Sequence, residues 1–214
     1  MENQKLFQTA CKNGDLTTVK SFVENGFDYN FDEDLSFCLA AEYGHTEIVR
    51  YLIQKGVNIR TRNDEALCWS CINGHIDIAE LLMDNGADVN CREGFILALV
   101  AETGNLERVK YLVGKGCNFK LNEHHALQLA CSAGCLNVVK YLIDIGSDYN
   151  ADDGECLITA AYNGQYEVVK HLIELGMDLD KYGSEALMEA LENNDKNKNE
   201  KVIQLLTDKG VKAD

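Results

Sequence analysis

"LNEHHALQLACSAGCLNVVKYLIDIGSDYN" (residues 121–150) and "RNDEALCWSCINGHIDIAELLMDNGADVN" (residues 62–90) are two versions of one sentence, and the period at which the chain rewrites it decides the fold. Gly14, Gly44, Gly74, Gly104, Gly134 and Gly164 stand thirty residues apart. A second series, Gly26, Gly56, Gly86, Gly116, Gly146 and Gly176, follows the first by twelve. Two locked series at one period of a few tens of residues are the signature of a solenoid.

Each thirty-residue unit reads as two helices. Between the glycines lie apolar stripes such as Ile48, Val49, Leu52, Ile53 and Val138, Val139, Leu142, Ile143, the spacing of one buried helix face. The opposite face carries Glu47 with Arg50, Glu107 with Lys110 and Glu167 with Lys170, solvated i, i+3 pairs. A shorter helix precedes the first glycine, with a large residue followed by two small ones: Trp69, Ser70, Cys71 and Leu129, Ala130, Cys131. The small pair lets a neighbouring helix come close. Asp34, Asp64 and Ser184 are read as N-caps of these short helices. The chain has no proline, so glycine stops the helices through a left-handed residue. A two-helix unit cannot hide its apolar face alone, and stacking solves this, so stability becomes a sum over units and interfaces.

The units run 31–60, 61–90, 91–120, 121–150 and 151–180. Residues 1–30 form a more polar N-terminal cap. Residues 181–214 form a C-terminal cap, in which Gly210 comes late because of a polar insertion near 193–199. The expectation is one all-α domain over 1–214.

Composition limits the function. The net charge of −15 disfavours nucleic-acid backbones and anionic membranes, which reward clustered Lys and Arg. No apolar run of membrane-spanning length occurs and no signal peptide is visible, which places the chain in the cytoplasm. The nine cysteines are odd in number, which points to reduced thiols.

"AAEYGHTEIVRYLIQKGVNI" (40–59) and "NGHIDIAELLMDNGADVN" (73–90) resemble ankyrin repeats. They carry the family's two small residues, Gly-His, Val/Leu stripe, and closing Gly with Asp-x-Asn. The resemblance extends over the whole chain. The unit is three residues shorter than the usual 33. The loss falls in the segment that forms a projecting β-hairpin finger in the family, so short finger turns are expected here. Compact units opening Asp-Glu-Ala-Leu are similar to those of ankyrin proteins from giant viruses of amoebae.

The resemblance implies an ankyrin-type α-solenoid that binds a partner protein on its concave face, through finger tips and the exposed edge of the short helices. By position that edge includes Glu42, Tyr43, Ile72, Glu102 and Tyr162, which vary while the framework around them does not. Phe31 and Asp32 in the first finger and Phe95 in the third complete the candidate partner-binding set. The finger segments are unevenly charged. Residues 27–35 carry Asp28, Asp32, Glu33 and Asp34 with no Lys or Arg, and residues 147–155 also sum to −4, whereas 57–65 and 117–125 are neutral. An acidic edge of this kind attracts a partner with a basic surface.

Other readings compete. Cys68-x-x-Cys71 with His75 has the look of a metal or redox motif. However, Cys11, Cys71 and Cys131 share one repeat position with Ala41, Ala101 and Ala161, where cysteine is a small apolar filler. His45 and His75 follow the repeat glycine and serve the turn; His124 and His125 sit at a finger tip and read as solvated. Trp69 takes a slot used by Leu39, Leu99 and Leu129 and reads first as core, with partial exposure left open because the slot is tuned for leucine. No phosphate loop, nucleophile elbow or Ser/His/Asp arrangement is found, so neither catalysis nor a cofactor is expected. The expected state is a monomeric binding module. The alternatives are a self-associating scaffold or, less favoured, a metal protein or enzyme.

Overall fold

The computed structural model describes residues 2–31, 33–193 and 196–213, with the side chains of 123 and 196–198 outside what it describes. Among the described residues there are fourteen helices and no strand. They divide between two compact units, residues 1–92 and 93–214. The first holds α1 (Glu2–Asn13), α2 (Leu16–Glu24), α3 (Leu35–Glu42), α4 (Thr46–Gln54), α5 (Thr61–Asn73) and α6 (Ile76–Asp84). The second opens along α7 (Cys91–Glu102). It continues through α8 (Leu106–Gly114), α9 (Leu121–Ser132), α10 (Leu136–Asp144), α11 (Ala151–Tyr162), α12 (Tyr166–Glu174), α13 (Leu179–Glu192) and α14 (Lys196–Asp208).

Within each unit the helices form two rows. In the first, α1, α3 and α5 lie side by side, and α2, α4 and α6 form the row behind. In the second, α9, α11 and α13 make the front row, backed by α10, α12 and α14. The sequence stripes are the seam between rows. Ile48, Val49 and Leu52 are buried to 1% exposure or less, as are Val138, Val139 and Leu142. Each such side chain contributes roughly 1.5–3 kcal/mol on burial. The fourth stripe position, Ile53 or Ile143, stays half-buried at the margin. The small pairs are fully buried too: Ala40 and Ala41, Ala130 and Cys131, Ala160 and Ala161. They let front-row helices approach closely.

The finger turns are short, without β pairing, and have an unusual build. Arg62, Asn63 and Asp64 are all left-handed, at φ 52, 57 and 58°. Asp152, Asp153 and Gly154 repeat this at φ 51, 47 and 85°, and Glu33 and Asp34, Arg92 to Gly94, and Asn122 and His124 follow suit. A left-handed L-residue costs about 1–2 kcal/mol, so the turn needs external support. Arg92 donates to the carbonyls of Arg62 (2.5 Å) and Asn63 (3.2 Å). The Tyr182 ring lies against Gly154, where a Cβ would come within 2.5 Å of it.

This geometry corrects the N-cap assignments. Asp34 makes no capping hydrogen bond. The Asp64 carboxylate is taken by Arg60, and Ser184 lies inside α13. A residue at φ near 58° aims its side chain away from the helix's first amides. Turn chemistry sits instead at the Asp-x-Asn positions. Asp28, Asn58, Asp88, Asn118 and Asp148 each accept the N–H two residues on, at 2.8–3.2 Å. Of the solvated pairs, Glu107–Lys110 closes at 3.3 Å, whereas Lys170 turns to Glu174. Residues 194–195 of the polar insertion lie outside the described residues.

Candidate partner-binding surface

The short front-row helices leave one stripe uncovered. In α5, Ala66, Leu67, Cys68, Ser70 and Cys71 are buried, while Glu65, Trp69, Ile72 and Asn73 are open or half-open. The same alternation recurs in α7 at Phe95, Leu99 and Glu102, and in α11 at Glu155, Thr159 and Tyr162. The spacing of four then three residues is that of one helix face. This stripe and the turns leading into it are where side chains project without being needed for the fold.

In the first unit the stripe is aromatic and apolar. Tyr43, at the end of α3, is 44% exposed, with Lys12 Nζ 4.9 Å from its ring centre. Trp69 is 38% exposed, and its indole N–H donates to Glu65 at 3.3 Å. Trp69 is therefore surface, not core: its repeat position faces the open stripe, where Leu39 is also half-buried. Glu42 and Ile72 are half-buried beside them, on the neighbouring helices α3 and α5. Phe31 is placed differently. Its ring lies 5.4 Å from Phe27 and 6.2 Å from Phe7, in an aromatic cluster that closes the N-terminal helix pair. Asp32 lies outside the described residues.

In the second unit the stripe turns acidic. Phe95 is 36% and Tyr162 44% exposed, and Glu102 is exposed. Burial pushes the Glu155 carboxyl above the ordinary range, and the charges of Asp152, Glu185 and Glu189 push it further. Those four carboxylates went unnoticed as a group in the sequence because they come from two successive repeats, 151–180 and 181–214. The 4–3 spacing, applied to every short helix, would have found Glu155, Glu185, Glu189 and Trp69.

The backbone under the stripe is held rigidly. His45 Nε2 is 2.7 Å from the Lys12 carbonyl and His75 Nε2 3.0 Å from that of Glu42. Gln165 reaches the Ser132 carbonyl at 2.9 Å, Cys135 that of Glu102 at 3.5 Å, and Asn199 that of Tyr162 at 3.0 Å. Where the residue after the repeat glycine is His45, His75, Cys135 or Gln165, it thus ties its repeat to the end of the preceding short helix, the turn role expected of His45 and His75, whereas Asn105 caps its own helix. A surface preorganised in this way loses little conformational entropy on binding.

The other singled-out groups are structural. Cys68 and Cys71 are buried, with the Cys68 sulfur 3.8 Å from that of Cys91. Burial pushes the Cys11 and Cys38 thiols up to about 12. His124 Nδ1 accepts the Asp148 amide at 3.3 Å and His125 lies by Asn122, so both histidines are half-buried and engaged rather than solvated. Among the described residues no three His, Cys, Asp or Glu side chains gather to hold a metal ion, and no helix is long and apolar enough to cross a membrane.

The family profile described as ankyrin repeats in three copies matches residues 7–93, 90–153 and 152–214. No curated protein sequence matches the chain. Among solved structures, the crystal structure of the human ASB11 ankyrin repeat domain aligns with a TM-score of 0.72 at 20% identity, covering 94% of this chain and 96% of that one. In all, 313 solved chains match, so the fold by itself singles out no partner.

Proposed function

The chain belongs to the ankyrin-repeat family, and from that premise we propose that it recognises a partner protein through the open stripe of its short helices and the adjoining finger turns. Ankyrin repeats are generally protein–protein interaction modules, and the fold is typically non-enzymatic. The observation that supports the choice of surface is the exposure of Tyr43 and Trp69 in one unit and Phe95 and Tyr162 in the other, on helices whose remaining faces are buried. Large aromatics exposed over a rigid backbone are the residue types that dominate interface energies. The clustered carboxylates around Glu155 and the charge of the 27–35 turn favour a partner with a basic surface and disfavour nucleic acid and anionic membranes. The compact unit, similar to that of giant-virus ankyrin proteins, points to a host protein met in the cytoplasm by a monomeric chain. On the long-helix side, Arg50, Lys110 and Lys170 pair with glutamates.

The test is affinity capture with the purified chain, comparing wild type, Tyr43→Ala/Trp69→Ala, Phe95→Ala/Tyr162→Ala, and a long-helix control, Arg50→Ala/Lys110→Ala. Loss of the captured protein in either stripe variant, with retention in the control, is expected. Equal capture by all four refutes the surface. A mass that grows with concentration in light scattering would favour the self-associating scaffold instead.

A further inference from the structure

Asp34 and Asp64 stand thirty residues apart in two copies of one turn. Their backbones agree: φ 58°, ψ 26° for Asp34 and φ 58°, ψ 32° for Asp64. Both residues are buried, at 6% and 0% exposure. Their partners differ. The Asp64 carboxylate receives the Arg60 guanidinium through Nε at 3.1 and 3.2 Å and Nη2 at 2.9 Å, and the Asp88 amide at 3.2 Å. The Arg60 side chain remains 53% exposed, so the guanidinium reaches this fully buried carboxylate from the solvent side.

The first turn has the receptor without the cation. Asn30 stands where the second turn has Arg60, and Asp32 where it has Arg62. Asp34 Oδ1 is buried and has no hydrogen-bond partner. Burial raises the affinity of this carboxyl for a proton. The Thr61 hydroxyl opposes that rise, and the charge of Asp28 adds to it. The nearest arginine in sequence register, Arg62, is committed to Glu65 and Glu33. A buried carboxylate without its charge partner is a costly group, and here the chain itself shows what satisfies it thirty residues on.

We propose that Asp34 is a receptor for an arginine guanidinium of the partner protein, which takes the place that Arg60 occupies at Asp64. The proposal rests on the reading that the chain binds a protein. Arginine is specified over lysine because the template is a planar fork bound through two nitrogens, a geometry an ammonium cannot reproduce. The net negative charge of residues 27–35 draws the cation in.

The test uses N-acetyl-L-arginine amide as probe, titrated into the full chain while the carboxyl carbon shift of Asp34, assigned with Asp34→Asn, is followed by NMR. A saturable shift is expected at Asp34, with at least about five-fold weaker response to the lysine analogue. Asn30→Arg supplies an internal guanidinium, so in that variant the response disappears and the melting temperature rises. A response that survives Asn30→Arg, an equal response to lysine, or none at any soluble concentration overturns the proposal. Its failure is separable from failure of the surface reading. Undiminished partner capture by Asp34→Asn, with loss in Tyr43→Ala/Trp69→Ala, sinks the arginine receptor alone. An arginine-saturable Asp34 in a chain whose stripe variants capture normally upholds the receptor and sinks the stripe.

Discussion

Substituting alanine at Gly44 and at Gly56 separates two roles of the repeat glycines. Both are left-handed, at φ 80° and 88°. A Cβ at Gly56 meets nothing within 4 Å, whereas one at Gly44 falls 2.6 Å from His75 Cε1 and 2.8 Å from Nδ1. Gly56→Ala therefore incurs only the backbone strain, about 1–2 kcal/mol, partly offset by the reduced entropy of the unfolded chain, about 0.4–1 kcal/mol. The net is a loss of about 1 kcal/mol. Gly44→Ala adds displacement of the His75 ring and with it the bond to the Glu42 carbonyl, another ~1 kcal/mol for the hydrogen bond and a similar amount for lost packing. The total is about 2–3 kcal/mol, or roughly 5–10 °C in melting temperature for a chain of this length. Thermal and urea melts followed by circular dichroism measure both. The decisive arm is a double-mutant cycle: in a His75→Ala background, Gly44→Ala should cost no more than Gly56→Ala. If the two glycines cost the same in the wild-type background, or if His75→Ala leaves the difference intact, the inter-unit tie through the histidine is not what the position serves.

Other outcomes follow from the same structure. Asp34 has a raised pKa in the folded chain, so the folded state holds its proton more tightly than the unfolded state does. Its contribution to stability is greatest at acid pH and is lost as pH climbs from the unfolded aspartate range through the folded value. Asp34→Asn should accordingly raise the melting temperature at pH 7 and flatten that part of the pH profile. Asp64→Asn, which keeps the buried side chain but loses its charge-assisted bonds to the solvent-exposed Arg60, should instead destabilise by about 1.5–3 kcal/mol in urea melts. Trp69→Ala should change stability by less than about 1 kcal/mol, because the ring is partly exposed, yet weaken partner binding by about 2 kcal/mol or more in calorimetry. Capture should also weaken as salt rises, since the acidic turns act through screened charge. Thiol titration of the native chain should find Cys135, half-buried, ahead of the other eight, which are buried. All nine should react at once after unfolding.

Much of the fold was legible because a repeat reports its own averages. The position shared by Cys11, Ala41, Cys71, Ala101, Cys131 and Ala161 is small every time, and a residue type that is constant in size but not in chemistry marks a packing contact. The finger turns were legible as short but not as left-handed. Asp, Asn and Gly tolerate that conformation, yet Arg62, Arg92 and His124 adopt it too; Arg92 holds the Arg62 carbonyl from thirty residues on, and the His124 ring takes the Asp148 amide. The same reason explains the misplaced caps. Asp34 and Asp64 have the right chemistry for an N-cap, but the left-handed residues Glu33 and Asp34, and Arg62 to Asp64, swing the carboxylate away from the helix start. For Trp69 the leucine slot left core and partial exposure both open; the structure decides for exposure, since a half-open leucine and a half-open tryptophan share one stripe. Phe31, half-buried, packs its ring against Phe7 and Phe27, a contact its place in the sequence did not reveal.

From its residues alone, then, this protein declares the period, the two-helix unit, the buried seam and the excess of negative charge, since each depends on spacing along the chain and on side-chain size and polarity. Only the tertiary arrangement decides which carboxylate is buried deeply enough to need a guanidinium, and which aromatic stays open to a partner. Those outcomes turn on the side chain that the adjacent unit presents at a given point, and distance along the chain carries no record of that meeting.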